Sequence, residues 1–144
     1  MKEFFPNVKK IKYEGPKSKN PLAFKHYDAK QKILGKTMED HLRFAVCYWH
    51  TLKGLGSDQF GSNSIIRNYN QFDDPMEVAE ATMCAAFEFF TKLGVKFWCF
   101  HDRDIAPQGE TLAETNKNLD NIVALAKKLQ KDTGIKPLFR KIPA

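Results

Sequence analysis

Apolar residues along this chain fall into two kinds of run. "FAVCYW" at 44–49 and the unbroken Phe97–Phe100 inside Val95–Phe100 are short, flanked by polar residues and rich in β-branched and aromatic side chains. Such runs predict strands buried on both faces. Elsewhere the apolar positions recur at spacings of three and four: Val78, Thr82, Ala85, Ala86, Phe89 and Leu93, then Leu112, Thr115, Leu119, Ile122, Val123, Ala126 and Leu129. Each set predicts a helix with one apolar stripe.

The punctuation agrees with these elements. Asp74 followed by Pro75, with Glu77 in the first turn, opens the first long helix, and Gly94 closes it. Thr111 and Glu114 have capping-box spacing at the head of the second, and Gly134 closes that one. Thr37 caps a helical turn before the first strand. "KGLGSDQFGSNS", at 53–64, begins a loop running to about Asp73, a length usually reserved for function or disorder. "IKPLF", at 135–139, predicts a third strand, although Pro137 would remove a ladder donor were that strand central.

Residues 1–36 show little periodicity, and "YEGPKSKNPLAF" predicts an irregular arm over the surface. From 37 to 139 the order is β, long loop, α, β, loop, α, β. Apolar strands separated by one-faced helices predict parallel β/α units, so the fold class is α/β. Three strands do not close a barrel, which needs about 250 residues. The sheet is therefore small and open, or the chain is part of something larger.

Composition narrows the classes. The chain has 144 residues, enough for one domain with a core. No apolar run approaches the roughly 20 residues of a membrane helix. The N-terminus lacks the apolar segment of a secretory signal. With Cys47, Cys84 and Cys99 unevenly spaced and no CxxC pair, a reducing cytoplasm is expected and a structural zinc site is not. Lys and Arg total 23 against 17 Asp and Glu, a net charge of +6. The excess sits on the arm and on Lys127, Lys128 and Lys131 at a helix C-terminus, where the helix dipole favours cations. A solvated surface accounts for it, and neither nucleic acid nor membrane is expected as a partner.

In parallel β/α folds, chemistry gathers at the C-terminal ends of strands. The first strand ends in Trp49-His50-Thr51 and the second in His101-Asp102-Arg103-Asp104. If the strands are parallel neighbours, the two ends share one rim. A carboxylate accepting from Nδ1–H fixes an imidazole's tautomer and leaves Nε2 to exchange a proton. Asp104 and Asp102 both lie within reach of His101, and Arg103 could pair with either. The bland alternative is a structural histidine beside a solvated acidic loop. Trp49 is a core residue or a pocket wall, and Phe60, in the loop, presents a surface for contact. His26 and His41 lack context and are expected at the surface, and Cys99 is expected to be inert. His101 and Asp104 as a metal pair would be two ligands short of a site.

Several stretches together, "IKYEGPKSKNPLAF", "HLRFAVCYWHT", "SDQFG", "DDPMEVA", "CFHDRDIAP" and "ETLAETNKNLD", resemble the N-terminal third of the xylose isomerase family. The resemblance runs in register from about Phe4 to Leu138, and the arm is similar to that of the family's larger class. It implies a partial (β/α)₈ barrel, the part here supplying about three strands and two helices. It also implies conversion of D-xylose to D-xylulose, often of D-glucose to D-fructose, by a hydride shift assisted by two divalent cations, Mg²⁺, Mn²⁺ or Co²⁺. A homotetramer is implied as well. By the same resemblance, His101 assists ring opening, Asp104 orients it, Trp49 lines the substrate pocket, and Phe60 reaches into a neighbouring subunit's pocket. The family's metal ligands come from later strands, so no metal ligand is expected here, and the isolated chain is expected to be inactive. "IIRNYN" departs from the family's Arg-Pro-Trp, and residues 140–144 form a divergent tail. The remaining alternatives are a non-catalytic fragment docking on full-length subunits, and a sugar-binding or epimerase-like β/α module.

Overall fold

A computed structural model describes residues 3–57, 59–61 and 63–138. Phe139, the end of the predicted third strand, and the expected tail at 140–144 lie outside the described residues.

Near the end of the arm, β1 (Lys32–Ile33) and β2 (Lys36–Thr37) form an antiparallel hairpin around Leu34 and Gly35. Both turn residues have positive φ, 51° and 81°. Two-residue turns of this kind match strand twist; glycine enters them freely, whereas leucine is strained there. The arm's composition does not announce this hairpin. Thr37 then caps α1 (Met38–His41), and the Asp40 carboxylate accepts in return from the Thr37 N–H. The arm also does more than cross the surface. Phe4 is buried, and the Glu88 carboxylate accepts from the Phe4 and Phe5 N–H groups at 2.7 and 3.0 Å.

β3 (Ala45–Cys47) is shorter than the predicted strand because Tyr48 turns to helical dihedrals, φ −60° and ψ −46°. Residues Trp49–Lys53 then form a π-helical turn. The loop after it holds no helix or strand among the described residues until α2 (Pro75–Leu93). Asp74 caps α2 by accepting from the Met76 N–H at 2.9 Å, and Gly94, at φ 83°, ends it. β4 (Phe97–Cys99), α3 (Asp102–Ile105), α4 (Leu112–Thr133) and β5 (Lys136–Pro137) follow. At the head of α4 only half of the expected capping box forms. The Thr111 hydroxyl accepts from the Glu114 N–H, but the Glu114 carboxylate accepts from Glu110 N–H at 2.9 Å instead of from Thr111.

The three core strands are parallel, in the order β3-β4-β5, with Val46 opposite Trp98 and Cys47 opposite Cys99. The N–H groups of Lys136 and Leu138 donate to the carbonyls of Lys96 and Trp98 at 2.9 and 2.8 Å. Alternation along β5 therefore turns the Pro137 nitrogen to the outer edge, where no β4 bond is lost. Burial is one-sided, not two-sided as the apolar runs predicted. Val46 and Trp98 are buried, and Trp98 meets Phe87 and Phe90 of α2 at centroid distances of 5.4 and 6.0 Å. Ala45, Cys47, Phe97 and Cys99, on the other face, are half-buried.

Helix α2 packs both on the sheet and on α4. Serving two partners widens its apolar face, so Met83, Phe87 and Phe90 are buried while the predicted Val78, Phe89 and Leu93 are half-buried. In α4 the stripe holds for Ile122, Ala126 and Leu129, but Leu112 in the first turn is 76% exposed. The described residues form part of a β/α fold with a small open parallel sheet; a closed barrel is not among them. No described helix is long and apolar enough to cross a membrane.

Candidate active site

The ends of β3 and β4 meet at one rim, as parallel neighbours must. After β4 the chain turns at His101 into α3, whose buried Ile105 pins the turn to the core. Asp104 is the third residue of that turn. From there a carboxylate folds back on the residue that precedes the helix. Its Oδ2 accepts from the His101 backbone N–H at 2.9 Å and lies 2.8 Å from His101 Nδ1. Asp102 opens the turn and bends to its own backbone, accepting from the Arg103 N–H at 2.8 Å. Geometry thus selects Asp104 over Asp102. Arg103 forms no ion pair with either among the described residues. The contact with Asp104 places the proton on Nδ1 in the neutral ring. The His101 side chain is 63% exposed and that of Asp104 only 18%, so the imidazole is reachable while its carboxylate is sheltered.

Trp49 begins the π-helical turn, and such turns recur at functional sites. Its ring lies 4.3 Å from the His101 ring, centroid to centroid, and 5.6 Å from that of His50. Leu52 is buried and anchors the turn from below. Phe60 lies on the loop, 89% exposed. The structure therefore gathers Trp49, His101 and Asp104 and leaves Phe60 on the outside. His26 and His41 are exposed, and the His41 ring reaches the Ile33 carbonyl at 2.9 Å. Beneath the rim, burial raises the Cys99 thiol pKa, with Cys47 adding to the effect, so Cys99 remains a thiol at neutral pH. Burial likewise holds the Tyr48 phenol protonated.

Among the described residues no group of three or more His, Cys, Asp or Glu stands where it could hold a metal ion. His101 and Asp104 are engaged with each other. Sequence reasoning assigned no role to Arg67, whose guanidinium donates to the carbonyls of Thr51 and Gly54 at 3.0 and 2.9 Å. A lone arginine in a long glycine-bearing loop is the only signal that pointed to it.

No family model matches the chain. Curated relatives do. A xylose isomerase of Thermoanaerobacterium saccharolyticum is 55% identical over 139 residues, which is 96% of this chain and 32% of the relative. Those of Arabidopsis thaliana and Hordeum vulgare are 54% and 56% identical over 137 residues, 95% of this chain and 29% of each relative. The chain belongs to the xylose isomerase family. It spans about a third of the length of the curated relatives it matches. It carries the paired His101 and Asp104 and the aromatic Trp49 at the open end of its parallel sheet.

Proposed function

We propose that this chain supplies the sugar ring-opening part of an aldose–ketose isomerase that acts on D-xylose, with D-glucose as a second substrate. The observation that carries the reading is the His101 Nδ1–Asp104 Oδ2 contact of 2.8 Å at the end of a parallel strand. With Nδ1–H donated to Asp104, Nε2 accepts the proton of the anomeric hydroxyl as the C1–O5 bond opens, and O5 collects a proton from solvent. Asp104 holds the ring in that tautomer and stabilises the imidazolium that forms. Trp49 walls the sugar and keeps water from one side of it. The two divalent cations implied by the family resemblance would supply Lewis acidity to a hydride shift between C1 and C2. The described residues do not fit a site for them, so no part of that step is assigned to this chain. Three free cysteines suit a reducing, cytosolic setting.

A graft tests the proposal. Residues 4–138 replace the aligned segment of the Thermoanaerobacterium saccharolyticum enzyme, and xylulose formation is followed. The graft is expected to be active, and His101→Asn to slow it by about 10²-fold or more. A His101→Asn graft that turns over at the parental rate sinks the reading.

The exposure of Phe60 favours a second role, docking on a neighbouring isomerase subunit. Co-purification with a full-length isomerase, weakened by Phe60→Ala, is its expected signature.

A further inference from the structure

A π-helical turn leaves the carbonyls at its C-terminal end without partners in its own backbone. The turn Trp49–Lys53 runs into Gly54 in an extended conformation, φ −62° and ψ 126°. Its last carbonyls therefore need donors from elsewhere. Arg67 provides them, Nη1–H to Thr51 O at 3.0 Å and Nη2–H to Gly54 O at 2.9 Å. A guanidinium is a rigid fork, so two bonds from one group fix the spacing and orientation of both carbonyls.

The guanidinium is itself held from behind. Nη1 also donates to the Tyr69 hydroxyl at 2.6 Å, and the group lies 5.8 Å from the Tyr69 ring centroid. Tyr69 is buried and meets Phe4 of the arm edge to face at 6.2 Å. Next to it, the Asn68 amide donates to the Phe4 carbonyl at 2.9 Å. Contacts thus run without a gap from the arm, through Tyr69 and Arg67, to the turn that begins with Trp49.

We infer that Arg67 is a positioning residue: it shapes the π-helical turn so that the Trp49 ring lies against His101, and the arm sets where Arg67 stands. The inference rests on the sugar-pocket reading for its purpose and on these contacts for its geometry.

The test uses the 144-residue chain and the NMR shifts of the His101 ring protons. Trp49 at 4.3 Å displaces those protons by its ring current, and a Trp49→Leu variant defines their undisplaced values. Arg67→Met is expected to move them most of the way to the Trp49→Leu values. Arg67→Lys, which keeps the charge and N–H donors but loses the rigid fork, is expected to fall between Arg67→Met and the parent chain. It also carries the test if Arg67→Met does not fold. Lower thermal stability with His101 shifts unchanged in both variants would make Arg67 an ordinary structural residue and overturn the inference. Titration of D-xylose into the same samples separates the two claims. A parent chain whose His101 signals ignore the sugar defeats the pocket reading while the effect of Arg67 on the shifts remains measurable.

Discussion

At the end of β4 the chain secures His101 with a partner three residues away, whereas at the end of β3 the turn that begins with Trp49 is held at Thr51 by an arginine sixteen residues beyond Thr51. The first device is local: one carboxylate, fixed by the turn it belongs to, holds both a backbone N–H and the imidazole. The second crosses the molecule, since Arg67 leans on Tyr69 and Tyr69 on Phe4 at the other end of the arm. For the proposed proton carrier one nitrogen must be aimed correctly, and a four-residue turn suffices. The proposed pocket wall must stand at a set distance from a neighbouring strand end, and that calls for support from outside its own turn.

The largest break in this comparison should come from Trp98, which lies beneath both ends. It is fully buried, 5.9 Å from the Tyr48 ring and 4.3 Å from that of Phe100. Trp98→Ala is expected to cost about 3–5 kcal/mol in urea unfolding and to loosen both ends together. A cost under about 1 kcal/mol would show that the rim does not stand on this core.

Acid should separate the two devices by releasing the long-range one at the arm. Burial works to raise the Glu88 pKa, but the ion pair with Lys92 and the N–H groups of Phe4 and Phe5 outweigh it and hold the carboxyl below its ordinary value of 4.5. A lowered folded-state pKa means the stabilisation is complete above that ordinary value and fades as pH falls through the folded one. Amide-exchange protection at Phe4 and Phe5 is therefore expected to drop as pH falls below 4.5, with Glu88→Gln already low and flat across the range. Protection that persists in acid would show that the arm stays in place without the Glu88 carboxylate, on contacts such as Phe4 burial and the Asn68 bond to the Phe4 carbonyl.

The smallest effect sharpens the comparison most. Asp104→Asn is expected to cost about 1 kcal/mol as a lost cap and to change the His101 tautomer, read from its ring ¹⁵N shifts. Combined with Arg67→Lys, its cost should add to within about 0.5 kcal/mol if the two ends are built independently. A larger coupling energy would mean that the rim is one device and not two.

The same division decides what was legible in the sequence. Thr37, Asp74, Gly94 and Gly134 act within four residues of themselves, and each ends or opens its helix where the residue pattern places it. The His101–Asp104 pairing was legible as a spacing, although only the turn's geometry decides against Asp102. Glu114 shows how narrow such margins are, since a shift to Glu110 undoes half of an expected box. Long-range partners left no comparable trace. Nothing in "WHTLK" announces a π-helical turn, and nothing in "KEFFP" says that Phe4 is buried and tied to Glu88. The face of α2 was legible in Thr82, Ala85 and Ala86 but not in Met83, Phe87 and Phe90, because a helix wedged between a sheet and another helix buries more than one stripe can report.

Pro137 has a consequence for how such sheets behave in solution. Its ring nitrogen sits on the outward side of β5, so that border offers a carbonyl with no neighbouring amide at this position. An incoming strand from another molecule would find the hydrogen-bond ladder interrupted there. Among the described residues β5 lies at the edge of the sheet, and Pro137 makes that edge a poor template for self-association.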